Sequence, residues 1–251
     1  MQKKEIVQLK KVTLGDGIPK ICVPVVGRTE AEILSQAGDA LSAAPDLVEW
    51  RVDFYEDIFA EEKAAEVLTA LSEVLGQVPI LFTFRTDREG GNRHISPEKY
   101  RELTIWAAEQ QKTDVIDVEG RWPELGAESL VEEIQRLGKP VIASSHFFDR
   151  TPGRQEMENI LEELRSTGAD ILKLAVMPGS REEVLELLAV TLEMDRKLPN
   201  PLITMAMGSL GSISRISGRL TGSALTFGSA GQSSAPGQLP ADELRRILEL
   251  M

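Results

Sequence analysis

With 251 residues, 42% of them hydrophobic, the chain can bury one large core, and its net charge of −12 argues against a nucleic-acid binder, whose footprint is usually basic. Cys22 is the only cysteine, which excludes an intrachain disulfide and a cysteine-rich metal site. No apolar run approaches the ~20 residues of a membrane helix, and residues 1–10 carry charges rather than an apolar signal core, so a cytoplasmic protein without a membrane partner is expected.

Residues 6–9 and 11–14 read as a small hairpin, after which one pattern repeats. A strand over 20–26 leads to a helix over 29–43 with Thr29 as its N-cap. A strand over 46–52 leads to a helix over 61–75, and a strand over 79–84 to a helix over 96–110, where Ser96-Pro97 combines an N-cap with proline at the first helical position. Strands over 114–118 and 140–145 precede helices over 128–137 and 154–166. The strand over 169–176 precedes a helix over 180–196, with Ser180 as cap and Glu183 completing a capping box. Strands over 201–205 and 224–227 and helices over 212–217 and 241–250 close the chain. Eight strand–helix units imply parallel strands with helical crossovers, and this number in ~250 residues predicts a single (β/α)₈ TIM barrel over residues 1–251 with a short N-terminal β-hairpin. An open doubly wound sheet is the structural alternative, weakened by the lack of G-x-G-x-x-G after the first strand.

The segment Asp170-Ile171-Leu172-Lys173-Leu174-Ala175-Val176 holds one charge inside a buried strand. Side chains alternate, so Ile171, Lys173 and Ala175 share one face and Leu172, Leu174 and Val176 the other. A buried ammonium must find a partner or lose its proton. Lowering an ordinary amine pKa of about 10.4 by about 3 takes roughly 4 kcal/mol of destabilisation of the charged form, and the free amine is then a nucleophile.

In such a barrel the chemistry sits at the C-terminal ends of the strands. There the sequence places Glu49, Trp50 and Arg51, then Arg85 with Glu89, then Asp117 and Glu119. His146, Lys173, Arg215 and the segment from Ser233 to Gln238 follow. Charged groups converging inside a barrel are hard to explain as packing. His146, one strand before the lysine, suits proton transfer, and Glu89 could orient its ring. Arg51, Arg85 and Arg215 offer forked donors for a carboxylate or polyol. Asp117 and Glu119 read as partners that hold the arginines, Met205 and Met207 as wall residues, and His94 as solvent-exposed. Two histidines without clustered ligands argue against a catalytic metal.

The motifs Glu49-Trp50-Arg51, Thr83-Phe84-Arg85-Thr86 with Glu89-Gly90-Gly91, and Ser144-Ser145-His146-Phe147-Phe148 with Thr151-Pro152 occur in this order. They are followed by Ile171-Leu172-Lys173-Leu174-Ala175, Ile203-Thr204-Met205-Ala206-Met207-Gly208, Ser214-Arg215 and Ser234-Ala235-Pro236-Gly237-Gln238. Together they resemble the type I 3-dehydroquinate dehydratase family over nearly the whole chain. The resemblance implies a lyase that converts 3-dehydroquinate to 3-dehydroshikimate plus water in the shikimate pathway of aromatic amino acid biosynthesis. It implies Lys173 as the Schiff-base lysine, His146 as general base and acid, and Glu89 as the group holding its ring. It further implies that Glu49, Trp50, Arg51, Arg85, Arg215, Ser234 and Gln238 bind substrate, with Arg215 and the 234–238 loop at the carboxylate end and forming a lid. No external cofactor is implied, and a homodimer is. The first strand, Pro24-Val25-Val26, offers no side-chain donor, so no contact is assigned there.

The residues by themselves leave other readings open. A class I aldolase-type lyase would also use a lysine imine, with the loop after the last strand suited to a phosphate. A non-catalytic barrel could bind anionic metabolites through its arginines, and a pyridoxal phosphate barrel would be yellow.

Overall fold

A computed structural model describes residues 4–231 and 235–250. A hairpin of β1 (Val7–Leu9) and β2 (Val12–Leu14) precedes the alternating elements. These run β3 (Lys20–Val25), α1 (Glu30–Ser42), β4 (Leu47–Arg51), α2 (Glu61–Leu75), β5 (Ile80–Thr83), α3 (Pro97–Glu109), β6 (Val115–Glu119) and α4 (Ala127–Arg136). They continue through β7 (Val141–His146), α5 (Arg154–Ser166), β8 (Ile171–Val176), α6 (Arg181–Lys197), β9 (Leu202–Ala206), α7 (Ser212–Ile216), α8 (Gly218–Thr221), β10 (Leu225–Ser229), β11 (Leu239–Pro240) and α9 (Ala241–Leu250). The hydrogen-bonded order is β11-β10-β3-β4-β5-β6-β7-β8-β9, all parallel, so the sheet curls into the expected (β/α)₈ barrel.

The seam between β9 and β10 is thinner than the others. It is joined by the Leu202–Ser223 bridge and by the Ala224 N–H, which donates to the Leu202 carbonyl at 2.7 Å. The Ser223 hydroxyl reinforces it by accepting from the Thr204 N–H at 3.1 Å. At the same, N-terminal end of the strands three aspartates act alike. Asp46, Asp114 and Asp170, each just before β4, β6 or β8, accept the N–H of Ile21, Ile80 and Val141 on the preceding strand at 2.8 Å. Each satisfies a backbone donor that the ladder leaves over.

Period two sorts the core into two layers. Ile171 and Ala175 of β8 join Cys22, Leu47, Leu81, Val115, Ile142, Ile203 and Leu225 inside the barrel. Leu172, Leu174 and Val176 face the helices. Leu9, Val12 and Leu14 of the hairpin belong to the inner layer and plug its N-terminal end, while Lys10 pairs with Asp114 at 3.0 Å. The closed lower half leaves the C-terminal ends of the strands as the place for a site.

Several caps agree with the sequence: Thr29 accepts from the Glu32 N–H and Ser96 from the Lys99 N–H. Ser180 accepts from the Glu183 N–H, but Glu183 reaches back to the Gly179 N–H at 2.7 Å rather than closing the box on Ser180. The helix expected over 212–217 is α7, and α8 and β11, a short strand beside β10, are additional elements. No helix among the described residues is long and apolar enough to cross a membrane.

Candidate active site

Lys173 lies at the centre of β8 on its inner face and exposes 4% of its surface. Its Nζ stands 3.5 Å from Asp117 Oδ2, 3.8 Å from Glu49 Oε1 and 4.6 Å from the centre of the Phe227 ring. Of the two outcomes open to a buried amine, the structure supplies the partner. Asp117 is fully buried and accepts from Arg85 Nη2 at 2.6 Å and from the Ser144 hydroxyl at 2.7 Å. Burial works against its charged form, yet the Arg85 and Lys173 charges and these hydrogen bonds hold its carboxyl below the usual range.

His146 ends β7 one strand away, and its Nδ1 is 2.8 Å from Glu89 Oε2. Glu89 is brought there by a tight 3₁₀ turn, Asp87–Glu89, after β5. Two glycines make that turn fit. Gly90 has φ +75°, and a Cβ on it would meet the Phe148 ring at 2.4 Å; a Cβ on Gly91 would stand 1.8 Å from the Arg85 carbonyl oxygen. Burial, then the charges of Arg85, Lys173 and Arg51, push the His146 imidazole well below its ordinary range. Burial and the Glu119 carboxylate push Glu89 up, with Arg85 opposing. Both shifts disfavour an imidazolium facing a carboxylate, so the imidazole rests neutral.

The other expected residues divide. Glu49, Arg51, Arg85, His146, Lys173 and Gln238 line one cavity, walled by Met205, Met207 and Phe227. Arg85 is held from several sides, with Nη1 donating to Ser144 at 3.0 Å, Glu119 at 3.2 Å and Glu89 at 3.4 Å. Asp117 and Glu119 thus partner an arginine, as their positions suggested. Arg215 is not among the residues that line this cavity; it is buried and donates to the carbonyls of Phe227 at 3.3 Å and Pro236 at 3.1 Å. Its burial lowers its pKa to about 10. Ser233 and Ser234 lie outside the described residues. His94 is exposed and meets Asp87 at 3.3 Å.

Trp50 needs correction as a substrate contact. Glu49 and Arg51 point inward, so strand alternation turns Trp50 outward, where it is fully buried with its ring centre 6.1 Å from Tyr55 and 5.9 Å from Phe82. Trp50→Ala is expected to cost about 3–5 kcal/mol of stability, read by denaturant unfolding. The folded enzyme should keep its KM; a raised KM with unchanged stability would return Trp50 to the site.

Asp53 was not anticipated. It is fully buried just past β4 and takes both the Nε and Nη2 of Arg51 at 2.8 Å. It also accepts the backbone N–H of Arg85 at 3.2 Å and of Asn92 at 3.0 Å. The signal available in sequence was its place two residues after Arg51.

Residues 21–251 match the family described as type I 3-dehydroquinase. The 3-dehydroquinate dehydratase of Listeria welshimeri is 45% identical over 248 residues, 98% of this chain and 97% of that one. The crystal structure of 3-dehydroquinate dehydratase from Geobacillus kaustophilus superposes with a TM-score of 0.95 at 38% identity, covering 99% of this chain and 96% of that one. The type I 3-dehydroquinate dehydratase of Clostridium difficile, solved with covalently modified comenic acid, gives 0.93 at 40% identity, covering 98% and 97%.

Proposed function

This chain belongs to the type I 3-dehydroquinase family and is a lyase of that kind, and from this premise we propose that it works through a Schiff base on Lys173. The observation that carries the mechanism is a buried amine and a partly buried imidazole lining one cavity at the C-terminal mouth of the barrel, with the imidazole held by the Glu89 carboxylate at 2.8 Å. Family membership sets aside the aldolase, binding-barrel and pyridoxal phosphate readings.

Lys173 first gives one ammonium proton to His146, and the free lone pair then forms a C–N bond to the substrate ketone. The ketone oxygen takes that proton back together with one hydrogen from the nitrogen and leaves as water, and the nitrogen is left with one hydrogen and a positive charge. The resulting protonated imine draws electrons from the neighbouring carbon, which then loses a proton to His146. The pair of electrons left behind expels the hydroxyl one carbon further on, which takes that proton and leaves as water. Water then hydrolyses the imine, freeing 3-dehydroshikimate and the amine. Glu89 holds the ring in place throughout.

Glu49, Arg51, Arg85 and Gln238 are the proposed contacts for substrate hydroxyls. Arg215, with Ser234 and the following loop, is proposed for the carboxylate, a role supported by a buried guanidinium whose hydrogen bonds among the described residues go to backbone carbonyls. The reading places the whole chain, as one catalytic domain, in the shikimate pathway in the cytoplasm, acting as a homodimer without an external cofactor.

The test is direct. Protein mixed with 3-dehydroquinate should generate the absorbance of the conjugated enone. Borohydride added during turnover should leave a reduced adduct on Lys173, read by peptide mass. Turnover without any adduct would remove the imine from the mechanism.

A further inference from the structure

The structure assigns to Asp117 the part of a positioning residue that ties the Lys173 amine to the His146–Glu89 pair through Arg85, an assignment that rests on the Schiff base proposed above. Asp117 sits on the inner face of β6 between Ile116 and Val118, which face the helices. Its two oxygens are used differently. Oδ1 takes Arg85 Nη2 and the Ser144 hydroxyl, while Oδ2 faces Lys173 Nζ at 3.5 Å. Arg85 extends through Nη1 to Glu89 Oε2 at 3.4 Å, and the same Oε2 lies 2.8 Å from His146 Nδ1. Nucleophile and base are therefore joined by one unbroken series of charged contacts.

A fully buried carboxylate is tolerated only when its oxygens are paired, and the Arg85 and Ser144 contacts fix where Oδ2 points. In imine formation the C–N bond forms, the ketone oxygen leaves as water, and the nitrogen is left with one hydrogen and a positive charge. The charge at Nζ, given up for the attack of the free amine, is thus restored in the protonated imine. A carboxylate fixed beside it stabilises the charged imine, the form that draws electrons from the neighbouring carbon. Asp117 does not line the cavity, so it acts through Lys173 and not on the substrate.

Asp117→Asn keeps the shape and removes the charge. It is expected to lower kcat about 10²-fold, as loss of a buried orienting partner does, with KM within about threefold of wild type. Borohydride trapping on Lys173 should slow in parallel. Wild-type protein run alongside separates the two readings: no adduct on wild type defeats the Schiff base itself. An adduct on wild type with unchanged kcat in folded Asp117→Asn defeats only the assignment to Asp117, as does a loss confined to KM. Should Asp117→Asn fail to fold, Ser144→Ala decides, because it removes a donor to Oδ1 and leaves the carboxylate in place. It should lower kcat about threefold to tenfold at constant KM, and a wild-type kcat would overturn the assignment.

Discussion

Lys173→Ala is expected to abolish imine formation and to lower kcat by at least ~10⁴-fold, the scale seen when a covalent nucleophile is removed. That corresponds to about 5.5 kcal/mol of lost transition-state stabilisation. The size follows from what else the cavity offers. The other cations lining it are the guanidinium groups of Arg51 and Arg85, which bind anions but do not condense with a ketone. No second amine among the described lining residues can take over. The fold should survive the substitution, because Asp117 keeps Arg85 and Ser144, and Glu49 keeps the Thr83 hydroxyl at 3.0 Å. Circular dichroism would confirm the fold, the enone assay would read the rate, and peptide mass after borohydride would read the adduct. An adduct of wild-type yield in Lys173→Ala would move the nucleophile to another residue.

The parts of this site that were legible in the sequence are those governed by strand alternation. The inward set on β8 followed from period two alone, and so did the pairing of Glu49 with Arg51. The same rule contradicts Trp50 as a contact; a motif taken as a unit carried along a residue whose side chain faces the other way. What was not legible depends on chain brought together from afar. The Glu89–His146 pairing, across 57 residues, was expected, but the turn that makes it was not: its geometry depends on Gly90 and Gly91 letting the turn lie flat on the strand end. Asp53 lies beyond its strand, where alternation is no longer a guide, and its partners come from three segments. The aspartates ahead of β4, β6 and β8 recur in the sequence, but only the parallel register shows what they accept. Arg215 is the converse case: its motif was plain, yet in the structure its fork holds the backbone of β10 and of the loop at Pro236.

Substitution of His146 by alanine should slow turnover at least ~10²-fold while leaving the protein able to trap substrate or product covalently, because the amine that forms the imine is intact. This combination separates the two roles: Lys173 makes the electron sink, and His146 moves protons to and from it. The pH dependence gives the assignment a sign. Burial and the charges of Arg85, Lys173 and Arg51 hold the imidazole well below its ordinary 6.5. A base with a lowered pKa is already deprotonated at neutral pH, so kcat should stay level from about pH 6.5 upward as far as His146 is concerned. Activity should fall as the pH drops through the lowered value, on the acid side of 6.5. His146→Ala should lose that acid limb along with the rate, since no imidazole remains to be protonated. A limb that stayed in place in the alanine variant would belong to another group, Glu89 being the nearest at 2.8 Å. Full activity in His146→Ala would mean that the proton leaves the substrate by a different route, and the imidazole would then be a structural neighbour of the imine rather than its base.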